Sequence, residues 1–114
     1  MAENPDKRFE NFIAVQLARD VSCWNENGLG PLKLHYLRTK DGQEVDFAIA
    51  GSKGIILLIE AKLQDTSLSR NLAFFQEKTR APLAFQVINQ KNFCAQKAKG
   101  LYIIGADRFL SLLP

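Results

Sequence analysis

The chain has 114 residues, 46% of them hydrophobic and 24% charged, with a formal net charge of +3 and a pI near 9.0. That length suits a single domain over residues 1–114 and is too short for two separate cores, and the apolar fraction excludes wholesale disorder. The opening MAENPDKRFE lacks an apolar signal core, and the longest apolar run, IILLI, is far short of the roughly 20 residues of a membrane helix, so a cytoplasmic protein without membrane contact is expected.

Asn4-Pro5-Asp6 carries the marks of a helix start: a capping amide, a proline in the first turn and an acid near the positive dipole end. Phe9, Ile13, Leu17, Val21 and Trp24 then recur every three or four residues, which predicts a first helix of about five turns with one apolar stripe. Glu10 lies beside the stripe. Three strands are predicted next, Leu32–Lys40, Gln43–Ala50 and Gly54–Leu63, joined through Asp41-Gly42 and Gly51-Ser52-Lys53 as an antiparallel meander. The continuous aliphatic run Ile55–Ile59 marks the third strand as central and covered on both faces.

A second helix is predicted over Ser67–Arg80, capped by Thr66 or Ser67, and a fourth strand over Leu83–Asn89. This strand, helix, strand crossover places the fourth strand parallel to the third in one sheet. Gln90–Gly100 reads as a polar, basic loop, followed by a short strand Leu101–Gly105 and a closing helix Arg108–Leu113. The fold class is therefore α/β, a mixed sheet flanked by helices with an αβββαβ core. Cys23 and Cys94 have no metal-ligand spacing and read as buried thiols. His35, with no second His or Cys spaced to join it, reads as a half-buried structural residue, and Phe74, Phe75 and Trp24 read as core.

Asp46, Glu60 and Lys62 stand out because they interrupt apolar strands. Glu60 and Lys62 project from one face of the third strand. A turn centred on Ser52 sets Asp46 opposite Leu58 and on that same face; an even-numbered loop sets it on the other. Glu-x-Lys at a strand end is commonly a solvated ion pair. Asp46, mid-strand between Val45 and Phe47, and Glu60, directly after five aliphatics, instead need compensation for burial. Two carboxylates match the ligand count of Mg²⁺ or Mn²⁺, with the Ala61 carbonyl as a further ligand and Lys62 orienting water or stabilising phosphoryl charge.

The helix with Glu10, the Asp46 strand and Glu60-x-Lys62 together resemble the PD-(D/E)XK nuclease superfamily, whose fold is restriction-endonuclease-like. More narrowly, FENFIAVQLAR, HYLRTKDGQEVDFAI, IEAK and RFLSLL, in this order, are similar to the domain of unknown function found C-terminal to bacterial and archaeal AAA-type P-loop ATPases. The resemblance runs from about Arg8 to Leu113 and is most specific in RTKDGQEVDF; Asp46 follows Glu44-Val45 where the superfamily's name-giving motif has Pro. It implies Asp46 and Glu60 as metal ligands, Lys62 as the catalytic or water-orienting lysine and Glu10 as an accessory acid. Gln64, continuing the face of Glu60 and Lys62, is a candidate substrate contact, as is Gln76. Arg38, Thr39, Lys40, Lys91, Lys97 and Lys99 are solvated positions or phosphate contacts. The chain contains no G-x-x-x-x-G-K-[ST], so no ATP site is expected in it. Two functions follow: a Mg²⁺- or Mn²⁺-dependent nuclease on DNA or RNA, or a non-catalytic module that binds nucleic acid or a protein partner and regulates an AAA-type ATPase.

Overall fold

The computed structural model describes residues 4–38 and 42–113. Helix α1 spans Pro5–Glu26, capped by Asn4, whose side chain accepts the Asp6 N–H. Its buried residues are the five of the predicted stripe. Strands β1 (Lys33–Arg38), β2 (Glu44–Gly51) and β3 (Gly54–Lys62) form the antiparallel meander. Helix α2 (Arg70–Thr79) leads to β4 (Leu83–Ile88), which pairs parallel to β3 as the crossover rule requires. Then come β5 (Cys94–Ala98), β6 (Leu101–Gly105) and helix α3 (Ala106–Leu112). The six-stranded sheet has the order β1-β2-β3-β4-β6-β5, so β3 and β4 are its central pair.

Each face of the sheet has its own core. Stripe residues of α1, together with Phe109 of α3, pack on Phe47, Ile49, Leu57, Ile59, Phe85 and Val87. Leu72 and Phe75 of α2 pack on Val45, Ala48, Leu58, Ala84 and Leu101 on the other face. No helix among the described residues is long and apolar enough to cross a membrane.

Several expectations are corrected. The segment read as a basic loop contains β5, an edge strand pairing antiparallel with β6; CAQKA has no buried face and so no alternation to announce it. Cys23 and Cys94 are exposed, Cys23 on α1 off its buried stripe and Cys94 on that edge. His35 is exposed, because β1 is the opposite edge. Phe74 is partly exposed beneath the Lys78 ammonium, and Phe75 and Trp24 are core. Helix α2 starts at Arg70, capped by Ser69 rather than by Thr66 or Ser67. Arg38 pairs with Glu44 across the hairpin, whereas Thr39, Lys40 and Asp41 lie outside the described residues.

Candidate functional site

The site is built by a fork in the sheet. β2 and β3 pair through Phe47↔Ile59 and then part: β3 continues along β4 with Glu60↔Gln86, Ala61↔Val87 and Lys62↔Ile88, and β2 continues along β1 with Val45↔Leu37 and Glu44↔Arg38. At the fork β2 carries a β-bulge. Two β1 steps, His35 to Leu37, are matched by three β2 steps, Ala48 to Val45. Asp46 is the unmatched residue, without a ladder partner on either side among the described residues. Bulges of this kind re-aim a side chain, and here the Asp46 carboxylate reaches across the fork to accept the Ala61 N–H at 2.7 Å.

This register differs from the expected one. Leu58 pairs with Ala48, not Asp46: Gly51↔Gly54 closes the even-numbered loop Ser52-Lys53 instead of a turn centred on Ser52, which moves the register by one residue, and a second irregularity between Ile49 and Ala50 moves it by another. Asp46 comes to Glu60 and Lys62 from the bulge, one step past Phe47↔Ile59.

Glu10, Asp46, Glu60, Ala61, Lys62 and Gln64 all line one cavity of about 460 Å³. Asp6, Glu44, Leu63, Asp65 and Asn71 complete it. Glu60 is only 5% exposed. Its Oε1 lies 3.5 Å from Lys62 Nζ, and its Oε2 is buried without a hydrogen-bond partner. Lys62 remains 44% exposed at the cavity wall. Burial pushes the Asp46 carboxyl up to about 6; the Ala61 N–H and Lys62 oppose the shift, and the charges of Glu10 and Glu60 add to it.

An orphaned, buried carboxylate oxygen on a residue that lines a polar cavity together with a second carboxylate, itself destabilised by burial and like charge, is what an added cation would compensate. Among the described residues no three His, Cys, Asp or Glu side chains come together as a ready-made metal cage. Asp46 and Glu60 are the carboxylates that could hold a hard divalent ion there, with main-chain, water or phosphate oxygens needed to complete its shell. A second cavity of about 260 Å³, lined by Lys7, Tyr36, Leu37 and Arg38, shares Glu10, Glu44 and Asp46 with the first.

Gln76 is not in the site. Its Nε2 donates to the carbonyls of Ala81 and Gly100 at 3.3 and 3.0 Å, tying the end of α2 to the β5–β6 turn. Gly100 is required there, since it has φ +70° and a Cβ would collide with the Pro82 carbonyl. Gln86 is the residue that strand periodicity passes over. It is fully buried beside Glu60 and bonds only to main-chain groups of the β3–α2 loop. The signal available for it was a Gln amid the apolar run of a central strand.

Residues 6–108 match the profile of the family described as Domain of unknown function (DUF4143). None of the curated proteins compared with the chain matches it. Among solved structures, the fold is similar to a chain in the refined half-complex from a tetradecameric assembly of Thermococcus gammatolerans McrB AAA+ hexamers with bound McrC. The TM-score is 0.58 at 16% identity, over 90% of this chain and 27% of that one. The present chain thus spans about a quarter of the length of the structure it resembles.

Proposed function

We propose that this chain, which belongs to the DUF4143 family of domains of unknown function, carries a metal-dependent nuclease site acting on DNA or RNA. The observation that carries the reading is the convergence of Glu10, Asp46, Glu60 and Lys62 on one cavity, with Glu60 Oε2 buried and unpartnered in its wall. Asp46 and Glu60 would hold Mg²⁺ or Mn²⁺, with Ala61 at the fork as the main-chain ligand. When bound, the ion supplies a Lewis acid for a phosphoryl oxygen and lowers the pKa of water.

The protein's own groups do the rest. Lys62, half in solvent and half against Glu60, would orient the attacking water and stabilise charge that develops on phosphate oxygens. Glu10 comes from the other helix layer and adds negative charge at Asp46, as an accessory acid does when it helps to hold the ion. Gln64 and Asn71 offer amides at the rim for substrate. The adjoining cavity with Lys7, Tyr36 and Arg38 gives a polynucleotide a path on from the site.

A second reading, a non-catalytic module of an AAA-type ATPase, draws on the likeness to the AAA+ assembly and on a separate surface. An apolar groove of about 330 Å³ lies away from the carboxylates, where Leu29 and Ile56 are exposed beside Leu32, Leu83 and Leu113. It is the surface that such an attachment would use.

A cleavage assay on single-stranded DNA, plasmid and RNA with Mn²⁺ separates the two. Cutting by the wild type and not by identically purified Lys62→Ala upholds the nuclease. Absence of cutting, together with no Mn²⁺ binding and no shift in Tm, removes it in favour of the module.

A further inference from the structure

Among the described residues the buried polar side chains are Glu60 and Gln86, and they are Cα partners on adjacent central strands. A primary amide has two N–H donors and a carbonyl acceptor. Gln86 commits all of them to one segment: Nε2 donates to the carbonyls of Asp65 and Ser67 at 2.9 and 2.8 Å, and Oε1 accepts the Ser69 N–H at 2.8 Å. Ser69 is the N-cap of α2. A further tie holds the near end of the segment, where the Asn89 N–H donates to the Leu63 carbonyl at 2.8 Å. Between these anchors, Gln64 and Asp65 enter the cavity wall beside Lys62.

The same arrangement bears on Glu60. The amide on the neighbouring strand has both donors turned to the loop, and Glu60 Oε2 is left without a partner. A free donor beside a buried carboxylate would normally satisfy it.

We propose that Gln86 is a positioning residue. It fixes residues 63–69 as one wall of the cavity and, with its donors committed there, leaves Glu60 Oε2 open to a cation. The cation half rests on the nuclease reading; the wall half does not.

Gln86→Met keeps the bulk and removes every polar contact. The experiment pairs a calorimetric Mn²⁺ titration with amide hydrogen exchange by NMR, at a temperature where wild type and variant are both fully folded. The expected result is a loss of Mn²⁺ affinity of about tenfold or more, the range typical of groups that orient metal ligands. Exchange should accelerate at residues 64–69 relative to the amides of β3 and β4. Affinity within about twofold of wild type, or exchange that rises evenly through the sheet, overturns the proposal. If wild type itself binds no Mn²⁺, the metal-site reading falls with the cation half, and the exchange pattern alone upholds or overturns the wall half. Should Gln86→Met not fold, Gln86→Asn carries the same test, because its amide is one methylene short of the loop and adds no charge beside Glu60.

Discussion

Asp46 and Ala61 are joined by a hydrogen bond that a regular hairpin does not contain: the strand amide of Ala61 donates to a carboxylate at 2.7 Å rather than to a facing carbonyl. The bond spans the point where β2 and β3 separate, so one side chain satisfies an amide that the fork would otherwise orphan.

Asp46→Asn should stabilise the protein at pH 7.5 and not at pH 3.5. The Asp46 carboxyl is raised from 3.8 to about 6. Between those values the unfolded chain has released the proton and the folded one still holds it, so stability falls as pH rises through that window and stays low above it. Asparagine keeps an acceptor for Ala61 and has no charge to desolvate. After discounting for solvent screening, the gain should be about 1 kcal/mol, read as the difference between urea unfolding curves at the two pH values.

Mn²⁺ binding should be proton-linked. A cation prefers the ionised Asp46, whose pKa lies near 6, so affinity should be level above that pH and fall by about tenfold per unit below it. Titrations at pH 7.5, 6 and 5 in buffers of different ionisation enthalpy check both the slope and the released proton. A flat profile would remove Asp46 from the ligand set.

Lys62→Met should destabilise the metal-free protein by about 1–3 kcal/mol, below the range for fully buried pairs because Lys62 is partly exposed. Without its ammonium, buried Glu60 has no cationic partner among the described residues. Added Mn²⁺ should recover most of the loss. Equal stability of variant and wild type in chelator would mean that the pair contributes little.

Gln64→Ala and Gln76→Ala should behave as opposites. Gln64 is exposed and lines the cavity, so its loss should weaken substrate affinity and leave Tm unchanged. Gln76 bonds to two main-chain carbonyls away from the site, so its loss should lower stability by about 1–2 kcal/mol without altering cleavage. Steady-state kinetics beside thermal melts distinguish them.

Local rules made most of the architecture legible in the sequence. The α1 stripe is the buried set, and the aliphatic run of β3 becomes a strand covered by helices on both faces. Asp46, Glu60 and Lys62 stood out as candidates because charge in an apolar strand demands an explanation. What stayed hidden depends on relations between distant segments. The register that brings Asp46 to the site is set by two irregularities, neither of which has a local signature. Gln86 reaches partners 17 to 21 residues earlier, so nothing near it in the chain reveals its role. β5 was missed, and Cys94 misplaced with it, because an edge strand without a buried face looks like a loop.

The bulge also separates two properties that are usually entangled. Val45 and Ala48 face α2 while Phe47 faces α1, which is the alternation a strand would have if Asp46 were simply absent. Excising that one residue would leave both cores correctly addressed and close the gap in the ladder, while removing the central carboxylate. The extra residue is therefore a local irregularity that core packing does not require, and a one-residue deletion, unlike any substitution, would test the scaffold without the Asp46 carboxylate and without the acceptor that it gives the Ala61 N–H.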